Sequence, residues 1–368
     1  MSNHLREIEA QGQSIWIDNI SRQLLEDGIM ARLIEEDGIT GVTSNPTIFE
    51  KAMAHSDRYD DAFREVIDET KDPQEIFERL AYRDIRDAAD LLRDVFEQTN
   101  GLDGYVSFEV PADMAFDSDK TIEAAKRYKA EIDRPNVLIK VPGTAEGVKA
   151  FEELTALGIN VNVTLLFAVE RYEEIAEAFI KGLERRVEAG ESIDKSASVA
   201  SFFVSRVDGK VDKALEGTGH EELRGKAAVA NARIAYESFQ RIFSGPRWEA
   251  LAEKGANPQR PLWASTSTKN PDYPDTLYVD ELIGPHTVNT MPDQTIEAAR
   301  DHGTAARTVD QDVEQAHELI KQVKEAGVDF DHIVQHELVD EGVKSFAESY
   351  DSLVDSIKSK ASDLVAAS

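Results

Sequence analysis

Lys140 stands in VLIKVP (137–142), flanked by Leu138, Ile139, Val141 and Pro142. A lysine meant for solvent has no use for such neighbours. Burial strips an ammonium of its hydration and favours the neutral amine. A neutral amine attacks a carbonyl carbon and forms a Schiff base. The carboxyls that could accompany it are Glu109, in YVSFEV (105–110), and Asp18, closing SIWID (14–18). A carboxylate beside the amine works against the neutral form, so a protonated Glu109, or a water between the two groups, is expected. The bland alternative for Lys140 is a structural salt bridge to Glu109 or Asp18. Asn45, Asn162, Thr164 and Ser201 follow the same pattern, each within or just past a short apolar, β-branched run. Singly, such an Asp caps a helix, such an Asn holds a turn and such a Lys reaches solvent. Together they are harder to set aside. Asn160, Asn162 and Thr164 share one face by the two-residue period of a strand, as do Ser107 and Glu109. Polar side chains aimed into one volume are costly unless used.

The runs that would position them number eight: SIWID (14–18), GVTSN (41–45), YVSFEV (105–110), VLIKVP (137–142), NVNVTLLF (160–167), SVASFFVS (198–205), PLWASTS (261–267) and HTVNTM (286–291). Between them lie helical patterns such as 75–98, 119–131, 168–189 and 224–243, with apolar residues three and four apart. Alternating strands and helices imply a parallel sheet, and eight units suffice to close one. The expected fold class is α/β: a single (β/α)8 TIM barrel with an N-terminal helix and extra C-terminal helices over 304–368, ending in a frayed SKASDLVAAS tail. No break in composition divides residues 1–368, so one domain is expected. In such a barrel the strand ends facing the βα loops build the active site.

Composition narrows the chemistry further. The chain has 368 residues, 41% of them hydrophobic, and no cysteine, which excludes disulfides, thiolate metal sites and thiol nucleophiles. The N-terminal MSNHLREIEAQGQ lacks the apolar core of a secretory signal, and no apolar run approaches the ~20 residues of a bilayer span. A cytoplasmic protein is expected. Its 71 Asp and Glu against 41 Lys and Arg give a net charge of −30, which repels nucleic acid and anionic membranes. The acid is spread along helix-like stretches. It reads as a solvated surface that keeps the protein soluble or, more sharply, as adaptation to a salty cytoplasm. His332 and His336 have the i, i+4 spacing of metal ligands but no third ligand nearby, so an ordinary amphipathic helix is expected and no metal. NIS (19–21) and NVT (162–164) match glycosylation sequons by chance, and no Walker loop or GxGxxG occurs.

The segments GVTSNPTIFEKA (41–52), SFEVPA (107–112), LIKVPGT (138–144), NVNVTLLF (160–167) and SFFVSRVDGKVD (201–212) together resemble the transaldolase family. SIWIDNISR (14–22), LWASTSTKNPDYPDTLYVDELIG (262–284) and TVNTMP (287–292) resemble its longer bacterial form. The matches run in barrel order over nearly the whole chain. The resemblance implies a metal-free, cofactor-free Schiff-base enzyme, a monomer or homodimer. It would move a dihydroxyacetone unit between sedoheptulose 7-phosphate or fructose 6-phosphate and an aldose phosphate, in the non-oxidative pentose phosphate pathway.

Residue by residue, Lys140 resembles the Schiff-base lysine and Asp18 the acid/base that handles the hydroxyl proton on bond cleavage. Glu109 and Thr164 resemble the pair that holds the catalytic water, and Asn45 and Asn162 the amides that bind the fragment's hydroxyls. Ser201 and Phe203 resemble site-lining residues, and Arg206 the phosphate-binding arginine. Where shorter members have an Ala-Ser-Phe-Arg-Asn type of segment, this chain reads ASTSTKN (264–270). Lys269, helped by Ser265 or Ser267, is expected to supply the second charge there; the bland alternative is that it decorates a loop. Two other functions stay open: a fructose-6-phosphate aldolase that releases the fragment, and a catalytically silent barrel acting as a binding protein.

Overall fold

Runs of Val, Ile, Leu and Phe with few charges suit strands covered on both faces, and these runs become the staves of a closed barrel. In the computed structural model, which describes residues 3–54 and 56–366, the strands are β1 (Gln13–Ile17), β2 (Ile39–Val42), β3 (Tyr105–Glu109), β4 (Val137–Pro142), β5 (Val161–Leu166), β6 (Ser198–Phe203), β7 (Arg260–Ala264) and β8 (Thr287–Met291). They close in sequence order, each parallel to its neighbours, with β8 paired to β1. The expected (β/α)8 barrel is the observed one. Its N-terminal helix is His4–Ala10, capped by the Asn3 side chain.

The strands stop short of several expected ends, and local chemistry says why. GVTSN was expected to run to Asn45, but Asn45 Oδ1 accepts from Ile48 N at 3.1 Å and so opens the helix Pro46–Ala54. PLWASTS ends at Ala264 because Ser265 turns left-handed, at φ 57°. The helical pattern over 75–98 divides into Pro73–Leu91 and Arg93–Gln98, with Leu92 turning the chain and burying its side chain. Polar caps start three of the outer helices: Asp72 for Pro73–Leu91, Asp117 for Ser118–Ile132 and Thr144 for Ala145–Ala156.

At the end of the barrel where the strands begin, buried groups satisfy one another. Asp103 accepts from Trp16 Nε1 at 2.9 Å and lies 3.3 Å from the Arg260 guanidinium, which also donates to Ser14 Oγ at 2.6 Å. Gly41 leaves the space that Trp16 fills, since a Cβ there would sit 2.4 Å from the indole. That end is a plug, leaving the other end free for chemistry.

The frayed tail expected at SKASDLVAAS is instead helical as far as Ala366; Ala367 and Ser368 lie outside the described residues. It completes a 29-residue helix, Leu338–Ala366, laid across the barrel against the helices Pro46–Ala54, Asp60–Glu69 and Pro73–Leu91 between β2 and β3 and the short turn Ala112–Met114 after β3. Ion pairs hold both ends. Lys210 Nζ meets Glu337 at 2.6 Å and Glu341 at 2.5 Å, while Lys360 Nζ meets Asp60 at 2.9 Å. Burial of Leu353, Ile357 and Leu364 overrides the polar composition that suggested fraying. His332 and His336 fall at a short helix and the π-turn Ile333–Glu337 rather than on one regular amphipathic helix. Both are exposed, with rings 5.6 Å apart, and no metal-ligating group of three forms among the described residues.

Candidate active site

Register between neighbouring strands aligns the reactive side chains. Glu109 on β3, Lys140 on β4 and Asn162 on β5 are consecutive Cα partners. Lys140 is 5% exposed; its Nζ donates to Glu109 Oε2 at 3.2 Å and to the Ser44 carbonyl at 3.3 Å. The Phe346 ring centre lies 5.4 Å away. Burial pushes the Glu109 carboxyl up to about 7, with the Lys140 charge pulling the other way. Of the two ways to reconcile amine and carboxyl, a protonated Glu109 is therefore within reach at neutral pH. Glu109 Oε1 and Thr164 Oγ1 are both buried and have no protein partner. Buried polar atoms of that kind are the natural anchors of an ordered water.

Asp18 sits just past β1, held by its own backbone N–H to Met291 O at 2.8 Å. Its Oδ1 accepts from Thr43 Oγ1 at 2.7 Å, and Thr43 Oγ1 is 2.6 Å from Thr290 Oγ1. Although Asp18 keeps some surface on the cavity floor, protein surrounds its carboxyl. Desolvation raises its pKa, opposed by the Thr43 hydroxyl and the Lys140 charge.

Asn162 is gripped at both ends of its amide: it donates to Ser107 Oγ at 3.0 Å and accepts from Ser201 Oγ at 2.7 Å. One N–H and one lone pair remain for a substrate hydroxyl. Asn45, its oxygen used in capping, has its amide nitrogen left to donate. Asn160 belongs elsewhere; it lies before β5, and its Oδ1 accepts from Ala197 N at 3.1 Å near the plugged end.

A cavity of about 270 Å³ is lined by Asp18, Asn45, Lys140, Thr164, Ser201 and Phe203, whereas Glu109 and Asn162 are not on its lining. Arg206 and Lys269 line it together, beside Ser265 and Ser267. Arg206 lies 5.1 Å over the Phe203 ring, partly buried, which lowers its pKa from the usual arginine value. Lys269 Nζ donates to Ser267 Oγ at 2.9 Å, whereas Ser265 Oγ is 2.9 Å from Ser205 Oγ. Asp18, Asn45, Arg206 and Phe346 also border a wider groove of about 1100 Å³ that opens from the cavity.

Three neighbours were not read from the sequence. Thr43 and Thr290 carried a faint signal, as polar residues at the ends of the second and eighth runs. Phe346 carried none, because it arrives on the C-terminal helix, far along the chain from every strand it meets.

A (β/α)8 barrel whose mouth buries an amine beside two carboxyls is the architecture of an enzyme that condenses with carbonyl compounds. A model of the Transaldolase/Fructose-6-phosphate aldolase family matches residues 15–357, and the chain belongs to that family. It is 47% identical over 377 aligned positions to a transaldolase of Trichodesmium erythraeum, covering 99% of each chain. It is 48% identical over 355 positions to a transaldolase of Thiobacillus denitrificans, covering 96% of this chain and 99% of that one. Against a transaldolase of Acidothermus cellulolyticus it is 49% identical over 356 positions, covering 96% and 95%.

Proposed function

We propose that this chain is a transaldolase, transferring a dihydroxyacetone unit between ketose and aldose phosphates through a Schiff base on Lys140. The observation that carries this reading is the buried Lys140, 3.2 Å from Glu109, opening into the same cavity as Asp18. The full-length likeness to proteins named transaldolase supports it.

The Lys140 amine adds to the ketone of sedoheptulose 7-phosphate or fructose 6-phosphate. A water held by Glu109 and Thr164 moves the protons that turn the carbinolamine into an iminium. Asp18 then takes the C4 hydroxyl proton, the C3–C4 bond breaks, and its electrons flow into the iminium. The aldose phosphate leaves, and the bound enamine carbon attacks the aldehyde of a second aldose phosphate. Asn45 and Asn162 bind the fragment's hydroxyls, Ser201 and Phe203 line its pocket, and Arg206 and Lys269 hold the phosphate. Kinetics are ping-pong. The reaction needs neither metal nor organic cofactor, and the whole chain works as one domain, as a monomer or homodimer in the cytoplasm. No described helix is long and apolar enough to cross a membrane, and the −30 charge disfavours nucleic acid as a partner.

Borohydride reduction with fructose 6-phosphate should add one three-carbon unit to the protein, located by mass spectrometry on Lys140. Lys140→Met should lose both adduct and activity. An adduct on any other lysine sinks the mechanism.

A further inference from the structure

Once an aldose phosphate has left, the fragment on Lys140 has two fates. Its enamine carbon can form a bond to the carbonyl carbon of an incoming aldehyde, whose oxygen takes a proton from Asp18. Water then hydrolyses the resulting iminium and frees the ketose phosphate. Alternatively the same carbon takes a proton from water, and hydrolysis frees dihydroxyacetone and the amine. The first fate makes a transferase and the second an aldolase. The difference lies in how much water reaches one carbon, which stands a few bonds from Lys140 Nζ.

That nitrogen meets the Glu109 carboxyl and the Ser44 carbonyl, and Thr164, Asn45 and Ser201 line the same cavity. Phe203 also lines the cavity, with Arg206 on its face and Phe167 at 5.4 Å. Phe346 sets an apolar ring beside the amine, 5.4 Å from Nζ. It borders both the reacting cavity and the wide groove, so it stands where water from the groove would enter.

Its position is built rather than incidental. Lys210 pins Glu341 ahead of it, and Lys360 pins the far end of its helix to Asp60. Between them Gly342, one turn before Phe346, lies on Leu165 so closely that a Cβ would come within 2.9 Å of Leu165 Cδ2. Leu165 itself is left-handed, at φ 59°, at an irregularity in the β5–β6 pairing beside Thr164. A leucine in that conformation is strained, and the packing of helix on strand end offsets the strain.

We infer that Phe346 is a specificity-determining side chain, one that keeps water from the lysine-bound fragment and so commits it to transfer rather than release. An apolar ring offers no proton and leaves a water beside it poorly bonded, so the enamine outlives the wait for an acceptor. The inference rests on the transfer reaction proposed above.

The test counts free dihydroxyacetone released per sedoheptulose 7-phosphate formed from fructose 6-phosphate and erythrose 4-phosphate. Borohydride adducts on Lys140 are measured on the same preparations. Phe346→Ala should raise the ratio about tenfold or more while the adduct still forms. Phe346→Leu, which keeps an apolar cover, should stay within about threefold of the parent. Phe346→Gln fills the space with a polar group and should behave like the alanine variant, giving the same contrast if that variant does not fold. An unchanged ratio in whichever of Phe346→Ala and Phe346→Gln folds, with the adduct intact, overturns the inference and leaves the transferase reading standing. So does a leucine variant that leaks as much as those two. Failure of the parent enzyme to form the Lys140 adduct overturns both, since there is then no bound fragment to shield.

Discussion

Glu109 and Lys140 are Cα partners on adjacent strands, and their side chains meet 3.2 Å apart inside the barrel. Burial outweighs the attraction of the amine and holds the Glu109 carboxyl up to about 7, against an ordinary value of 4.5. A carboxyl raised by folding contributes stability in its protonated form. That contribution is complete below about 4.5 and is lost as pH climbs through about 7. Glu109→Gln has no proton to lose. Its melting temperature relative to the parent should therefore rise between roughly pH 5 and pH 8. A difference that stays constant over this range would mean that Glu109 is ionised throughout.

Asp18 gives a second test through its neighbour. The Thr43 hydroxyl bond favours the ionised carboxylate, against desolvation and the nearby Asp293. Thr43→Val removes that help, so the acid limb of the cleavage rate should move to higher pH, whereas Thr43→Ser should leave it in place. Asp18→Ala should slow cleavage by ~10²–10⁴-fold, the usual worth of general acid/base catalysis, with adduct formation retained. Loss of the adduct in a folded Asp18→Ala protein would overturn this division of labour.

What could be read in the sequence and what could not divide along a physical line. The strands were legible because a barrel stave is buried on both faces, so β4 could be placed as Val137–Pro142 from VLIKVP alone. Lys140 and Glu109 stood out as charges where no charge should be. Strand ends were legible only to within a few residues, because Asn45 and Ser265 look like strand residues until their cap and left-handed turn are seen. Asn160 was grouped with Asn162 and Thr164 by parity, which fixes a face but not a depth, and it lies near the opposite end. The extra C-terminal helices were expected and are present, but where the last one docks, and hence the place of Phe346, depends on tertiary packing, which no local pattern reports. Its polar tail suggested fraying for the same reason.

The surface gives a third prediction. With a net charge of −30, much of the acid has no basic partner, though ion pairs such as Arg247 with Glu177 and Glu184 lace the outer helices. Exposed pairs are worth about 0–1 kcal/mol and are weakened by salt, while the long-range self-repulsion of the compact state is relieved by it. If repulsion dominates, as adaptation to a salty cytoplasm requires, the melting temperature should climb steeply from low salt to molar potassium chloride. A flat curve would leave solubility as the sole role of the acidic surface.

The last prediction concerns how so acidic a protein draws in a doubly charged phosphate, which only fixed local cations and donors can achieve. Arg206, in the first turn of the helix Ser205–Ala214 after β6, and Lys269, in the loop after β7, line the same cavity, and Lys269 Nζ is steadied by Ser267 at 2.9 Å. The planar guanidinium suits two parallel bonds to phosphate oxygens, whereas the ammonium acts as a mobile point charge. Arg206→Ala should therefore raise the Michaelis constant for phosphorylated donors far more than for free dihydroxyacetone. Lys269→Ala should do the same to a smaller degree. Ser267→Ala should produce a weaker copy of the Lys269 effect, because it removes only the group that steadies the amine. Ser265→Ala should matter less, since its hydroxyl is 2.9 Å from Ser205 Oγ and helps join the end of β7 to the start of the helix Ser205–Ala214. Unchanged constants in Lys269→Ala would put the second phosphate contact elsewhere and leave Arg206 as the anchor.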